Sequence, residues 1–368
     1  MKIAILSDFH LGYSRFEADS YSQAQMAMEG ASRDADLILC AGDIFDVKIP
    51  KLETLKKAVE IFRKAAVPVF AIHGNHERRA KDLVNPVQLL AAGTGIRLLH
   101  GTFEDFGKNG EKVRVFGLGS VPEEYAAEAL NKTLAGFKKE GFSILMIHQS
   151  VRELVPGGKD ELSLEQLEAL PFDLIVNGHI HETVTKLGGR FLIPGSTVLT
   201  QLKKDETAPK GYFVYDTKER KAEFREIAGR KFFYEELVFD KAGAEEVREK
   251  VRERIAAIRG EHPDAIIALK IDGSLREGLS SSDIRLEDYE NAFIDNRLDV
   301  ESLGARLEKI RGGREASLSV REMALKELRA RTEGKITLFD SAEIFDKLVA
   351  GPDEALEYLE KHNKKDNK

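Results

Sequence analysis

The sequence predicts an α/β fold, and three observations carry that prediction. Short apolar runs (KIAIL, DLILCAG, VPVFAI, KVRVFGL, FSILMI and DLIV) recur through the first ~230 residues and stop at small or polar residues. Helical patterns separate several of them, as over 52–66 and 122–140. The runs are apolar throughout rather than alternating, as expected of strands covered on both faces.

Taken in order, the strand-and-helix alternation gives way over 183–227 to shorter runs with turns at LGGR, IPGS and APKG, a β-rich closing half. A second unit follows. Residues 231–239 read as a strand, and 244–259 as a helix with Val247, Val251, Ile255 and Ile258 on one face, closed by Gly260. Residues 265–272 read as another strand, which makes a small βαβ-like domain. The remainder is charged and helical. Ser319 and Glu322 form a capping-box pattern that opens a helix to about 331. Two short amphipathic helices follow, over 341–349 and 353–362, split by Gly351-Pro352. Their apolar faces (Phe345, Leu348, Val349; Leu356, Leu359) are too small to fold alone and must dock on the body or on a partner. The tail KKDNK reads as frayed. The expected division is 1–230, 231–300 and 301–368.

Composition narrows the function classes. The chain has 368 residues, 42% hydrophobic and 32% charged, which reads as a soluble globular protein. No apolar run approaches a membrane span, and MKIAILSDFH lacks the h-region of a signal peptide. A cytoplasmic location is therefore expected. Cys40 is the single cysteine, so no internal disulfide framework exists; it reads as a buried core residue in a reducing compartment. The net charge of −7 argues mildly against a nucleic-acid coat, but bound divalent cations would offset acidic ligands.

Five apolar runs end in potential metal ligands: Asp8-Phe9-His10, Asp43-Ile44-Phe45-Asp46, His73-Gly74-Asn75-His76-Glu77, His148-Gln149 and His179-Ile180-His181. Ligands in open α/β sheets gather beyond the carboxyl ends of strands, so strands lying side by side would bring all five segments to one crevice. Asp8, His10, Asp43, Asn75, His148, His179 and His181 make seven donors. One ion needs four to six; two ions sharing a carboxylate need about seven and leave room for water and substrate. Carboxylate, imidazole and amide oxygen suit Mn, Fe or Zn rather than a thiolate site. Each motif alone has a bland reading as a surface pair, a Gly-Asn turn or packing. The five together, in order and at strand ends, do not.

SDFH, GDIFD, GNHE, His148 and GHIH resemble the five motifs of the calcineurin-like metallophosphoesterase superfamily, over residues 1 to ~200. The resemblance implies a four-layer αββα sandwich. It also implies one ion on Asp8, His10 and His181, a second on Asn75, His148 and His179, and Asp43 bridging them. His76 would be a catalytic residue at the leaving oxygen, oriented by Asp46. DFHLGY, NPVQLLAAGTGI, IHQS and IPGSTVLTQLKKDETAPKGYFVYD are similar to the SbcD-type double-strand-break repair nucleases, the meiotic-recombination-eleven family, in its archaeal form. That similarity implies a capping, DNA-binding domain over 231–300. It further implies two Mn2+ per subunit, 3′→5′ exonuclease and single-strand endonuclease activity on DNA, and a chromosome-associated homodimer joined through N-terminal-domain helices. A coiled-coil, SMC-like ABC ATPase would be bound by the C-terminal helices, about 341–362.

Arg78, Arg79 and Lys81 beside the site, and Lys203, Lys204 and Lys210 after PGS, either contact DNA phosphates or form a solvated face. His73 reads as a support for GNH; His100, His262 and His362 read as surface or packing residues. Two other functions compete with the nuclease: a phosphomonoesterase or cyclic-nucleotide phosphodiesterase on the same core, and a non-catalytic scaffold. The ~140 residues beyond the core count against the first, and the intact ligand set counts against the second.

Overall fold

Apolar strands that bury both faces need a cover on each side, and the computed structural model supplies it with a second sheet. It describes residues 1–80, 82–135, 137–155, 162–298, 325, 341–350 and 358. In chain order these include β1 (Lys2–Leu6), α1 (Glu17–Asp34), β2 (Leu37–Ala41), α2 (Leu52–Phe62), β3 (Val69–Ile72), α3 (Pro86–Thr94), β4 (Arg97–Leu98), β5 (Thr102–Lys108), β6 (Glu111–Leu118), α4 (Glu123–Leu134), β7 (Phe142–Ile147), α5 (Leu164–Glu168), β8 (Leu174–Asn177), β9 (Val184–Lys186) and β10 (Phe191–Ile193). They continue with β11 (Gly211–Asp216), β12 (Lys221–Glu226), β13 (Phe232–Ala242), α6 (Ala244–Glu261), β14 (Ile266–Leu275) and β15 (Ala292–Asn296).

Among the described residues, two six-stranded sheets run in the orders β12-β11-β1-β2-β3-β4 and β5-β6-β7-β8-β10-β9. β1 to β4 are mutually parallel, as are β6, β7, β8 and β10. Period-two alternation sorts each strand. Ile3, Ile5, Leu37, Leu39, Ile144, Met146 and Val176 meet between the sheets. Ala4, Leu6, Ile38 and Cys40 turn toward α1, α2 and α3, while Leu145, Ile147 and Ile175 turn toward α4 and α5. The order is helix, sheet, sheet, helix: the four-layer αββα sandwich.

Two local readings change. The NG pair at Asn109-Gly110, both at positive φ, turns β5 into β6 as a hairpin, so KVRVFGL has a partner strand that its own apolar run does not announce. Gly260 does not close α6; the helix continues through it to Glu261 and is capped at His262. Elsewhere the local chemistry is direct. α3 opens on Asn85, whose side chain accepts from Gln88 N at 3.0 Å, with Pro86 in the first turn, and it closes on Gly95 in the left-handed region.

Residues Met1–Leu298 form one compact unit and Asp299–Lys368 a second. Within the first, β13, β14 and β15 form a parallel three-stranded sheet. Val247, Val251, Ile255 and Ile258 of α6 are buried against Ile267, Leu269 and Ile271, a core of their own. Val198 and Leu199 pack with Phe16 and Ile266, which ties this small sheet to the segment following β10. In the second unit the helix Ser341–Ala350 is described. The helices expected over 319–331 and 353–362, apart from positions 325 and 358, the tail, and Lys81 lie outside the described residues.

Ile144 sits fully buried between the two sheets, four residues before His148. Ile144→Ala should lower unfolding free energy by about 2–5 kcal/mol in urea titration. A loss below about 1 kcal/mol would mean that the sheets do not pack face to face there.

Candidate active site

β1, β2 and β3 end side by side in one sheet, β7 and β8 in the other, and the five ligand segments leave these carboxyl ends. The segments after β1 and β2 remain paired beyond the sheet: Asp8 N donates to Gly42 O at 3.0 Å and His10 N to Asp43 O at 3.0 Å. Asp8 crosses to the other sheet, its carboxylate accepting from His179 N at 3.2 Å. Asp43 accepts from His76 N at 3.0 Å. Glu77 is fully buried and joins two segments; its oxygens accept from Phe45 N at 2.7 Å and Gly74 N at 2.8 Å. The motif glycines are sites of close approach. A Cβ on Gly74 would lie 2.0 Å from Asp43 Oδ1, and one on Gly178 would lie 2.5 Å from His148 Nδ1. Asp8, His10, Asp43 and His179 all adopt positive φ, a strained backbone for residues with a Cβ.

The structure brings all seven expected ligands together. Asp8 Oδ1 is 3.9 Å from both His10 Nε2 and His181 Nε2, and these two nitrogens are 3.2 Å apart. Asn75 Oδ1 is 3.0 Å from His148 Nε2 and 2.9 Å from His179 Nδ1. Asp43 lies between the groups, 3.3 Å from His148 Nε2, and clusters with His10 and His76 on one side and with Asp8 and His148 on the other.

The outer nitrogen of each imidazole decides what the inner one can do. His148 Nδ1 donates to Ala41 O at 2.7 Å. His10 Nδ1 faces Asp46 Oδ1 at 3.2 Å. His181 Nδ1 meets Thr200 Oγ1, and His179 Nε2 meets Ser150 Oγ at 3.0 Å. With the protons held outside, every inner nitrogen presents a lone pair to another lone pair or to a carboxylate. Such contacts repel unless a cation lies among them. Donors about 2.1 Å from one ion and at right angles sit about 3 Å apart, which matches the His10–His181, Asn75–His148, Asn75–His179 and Asp43–His148 contacts, with Asp8 standing wider. The donor set therefore fits divalent cations. In the cation-free chain protons take part of that role. Burial opposes a charge on His148, yet the Asp43 carboxylate lifts it to about 9; burial would raise Asp43, but His148 holds it below the usual carboxylate range. Burial lowers His179 to about 4, and burial together with the Asp43 charge raises Glu77 to about 8.

Among the second group of expected residues, His76 is 39% exposed, at the mouth of the cluster. Its Nδ1 is held by the Asp46 carbonyl at 2.6 Å, while the Asp46 carboxylate is 3.8 Å away and closer to His10. Arg78 reaches Ser120 Oγ at 3.5 Å, and Arg79 donates to Val84 O at 2.8 Å. Lys203 and Lys204 are exposed, and Lys203 lines an open cleft with His179 and His181. Lys210 is instead engaged with Glu206 and Ser196. His73 is buried beside His100, ring centroids 4.7 Å apart. Sequence reasoning missed Thr200, Glu206, Ser150 and Glu123. Ser150 stands in IHQS beside His148. Glu206 stands among lysines in LKKDETAPK, where a buried acid has no pattern to announce it.

Residues 1–183 match the family model of the calcineurin-like phosphoesterases. The chain is similar to a DNA double-strand break repair protein Mre11 of Archaeoglobus fulgidus, 30% identical, over 49% of this chain and 46% of that one. It is 26% identical to a protein of that name from Methanosarcina acetivorans, over 96% of this chain and 58% of that one. It is also 26% identical to one from Methanocaldococcus jannaschii, over 59% of this chain and 62% of that one. The chain thus spans less than two thirds of the length of each of these relatives. The matched residues 1–183 contain every motif whose ligands converge here, and over them the chain carries a calcineurin-like phosphoesterase domain.

Proposed function

We propose that this chain is a two-metal DNA nuclease that processes the ends of double-strand breaks, with Mn2+ as its metal and 3′→5′ exonuclease and single-strand endonuclease activity. The observation that carries the reading is the inward-facing set of acceptor atoms on Asp8, His10, Asp43, Asn75, His148, His179 and His181. The three relatives named as double-strand break repair proteins support the substrate.

Bound divalent cations would supply Lewis acidity to the phosphate oxygens and acidity to the attacking water. The chain's own groups do the rest. Asp8 and Asp43 are the only carboxylates among the seven, so the loaded site keeps a positive balance toward a phosphodiester. Asn75 contributes a neutral oxygen and leaves that balance intact. His76 turns its Nδ1 to the Asp46 carbonyl, which leaves Nε2 for the substrate; protonated there, it donates to the departing 3′-oxygen. Asp46 holds His10 by its carboxylate and His76 by its carbonyl, and so couples a ligand to the proton donor. Arg78, Arg79, Lys203 and Lys204 border the site as phosphate contacts, and residues 231–300 are a cap that widens the DNA-binding face.

Assembly belongs to the same proposal. Ile49, Leu52, Leu83 and Leu89 expose apolar surface on the neighbouring α2 and α3 and the segments before them, which supports a homodimer contact. The helix Ser341–Ala350, with Ile344 and Phe345 half-buried, supports docking of a coiled-coil ABC-type ATPase on the C-terminal segment.

Three outcomes are expected. With Mn2+ and 3′-labelled DNA, His76→Ser should cut about 10²–10⁴-fold more slowly than wild type and still bind Mn2+. Wild-type protein that leaves DNA intact while hydrolysing phosphomonoesters rapidly would sink the nuclease reading. Light scattering should show Leu52→Glu with Leu89→Glu as monomer where wild type is dimer; an unchanged mass places the contact elsewhere. Removal of residues 341–368 should abolish co-purification with the ATPase and preserve DNA cleavage; retained co-purification refutes the assignment of the tail.

A further inference from the structure

Two of the four ligand imidazoles are held directly, His148 by the Ala41 carbonyl and His10 by the Asp46 carboxylate. The other two are held through a hydroxyl. Thr200 Oγ1 meets His181 Nδ1 and donates to Glu206 Oε1 at 2.6 Å. Ser150 Oγ meets His179 Nε2 at 3.0 Å and donates to Glu123 Oε1 at 3.0 Å. Each of the two ligand groups thus pairs one directly held imidazole with one held by a hydroxyl and a carboxylate.

We infer that Glu206 and Glu123 are positioning residues that set the affinity of the two ion positions separately, Glu206 through Thr200 and His181, Glu123 through Ser150 and His179. The inference rests on the two-ion reading above.

The polarity of each relay follows from donor and acceptor counts. A hydroxyl has one proton and two lone pairs. When Thr200 commits its proton to a carboxylate, it can only accept from the imidazole, so His181 carries its proton on Nδ1 and aims the Nε2 lone pair inward. The Glu206 carboxylate is fixed from its other side. Its Oε2 accepts from Lys210 Nζ, which also donates to Ser196 Oγ at 2.9 Å, and Ser196 donates on to Val198 O at 2.8 Å. Glu206 is 7% exposed, Thr200 9% and Ser150 8%, so water competes weakly for these bonds. Glu123 stands at the first residue of α4, where the helix N-terminus favours a carboxylate.

The two relays select opposite tautomers. His181 must be protonated at Nδ1, whereas His179 must be protonated at Nε2, because Ser150 gives its proton to Glu123 and can only accept from that nitrogen; the His179 Nδ1 lone pair is then left for the ion position beside Asn75 Oδ1. Left to itself, each ring would spend part of its time with a proton pointing at the ion position. A relay removes that state for one ring only. Loss of one relay should therefore weaken one position and spare the other.

The test uses the full chain with Mn2+ as the probe. Calorimetric titration reads overall affinity, and anomalous scattering from crystals at limiting Mn2+ reads the occupancy of each position. Glu206→Gln and the near-isosteric Thr200→Val should each weaken the position at His181 about 10–100-fold and change the other less than about threefold. Thr200→Ser keeps the hydroxyl and should restore wild-type binding. Glu123→Gln and Ser150→Ala should give the mirror result, with weakening confined to the position at His179. Thermal unfolding in chelator, unchanged for Thr200→Val and Ser150→Ala, separates positioning from loss of fold. Equal weakening of both positions by any one variant, or wild-type binding in Thr200→Val, overturns the relays. Wild-type protein that binds Mn2+ at neither position overturns the two-ion reading and the relays with it.

Discussion

Atoms of the same polarity are made to face one another at the edge of two sheets, and the rest of this structure depends on holding them there. The inner nitrogens of His10 and His181 are 3.2 Å apart, and the Asn75 oxygen lies within 3.0 Å of two imidazole nitrogens. These contacts are favourable only with a proton or a cation among them. The backbone beneath them is fixed by other means: the Glu77 carboxylate between two segments, the Asp8 carboxylate across the sheets, and the ladder of the 8–11 and 42–46 segments. Four ligand residues also sit in left-handed conformations, each at a cost of roughly 1–3 kcal/mol. Strain of that size is tolerated where the surrounding core over-determines the geometry.

That core is the contact between the sheets. Ile3, Ile5, Leu39, Ile144, Met146 and Val176 fix the distance between the strand ends that carry the ligands, and the parallel registers fix their heights. The ligands are short side chains on tight loops, with little freedom to search. Placement follows from the strands, and the glycines at 74 and 178 remove the Cβ atoms that would hold a loop away from Asp43 or His148. Function at this edge is therefore an outcome of packing far from any ion.

Much of this was legible in the chain. The apolar runs marked the strands because each strand is buried on both faces, and the five polar endings marked the site because ligands gather past carboxyl ends. The sandwich itself was less legible. Periodicity cannot say whether a strand's second face meets a helix or a second sheet, and that distinction came from the resemblance. The hairpin partner β5 escaped because its residues are half exposed and mixed in polarity, although Asn109-Gly110 marked the turn. Asp46 was read as the orienting acid of His76; its backbone carbonyl holds that ring, while its carboxylate lies at His10. A backbone carbonyl that positions a side chain, as at Asp46 and Ala41, leaves no trace in residue type. Glu206 and Glu123 were invisible for a related reason: a carboxylate that acts through a hydroxyl need not lie near its imidazole in sequence.

The spread of the ligands along the chain has one more consequence. They run from Asp8 to His181 and belong to both sheets, so no contiguous fragment shorter than that span carries the full set. A nascent or partly unfolded chain holds at most an incomplete, unassembled part of the set. The complete donor set then arrives only with the finished sandwich and leaves with it. The architecture is its own interlock: a chain whose two sheets are not both in place lacks the complete ligand set.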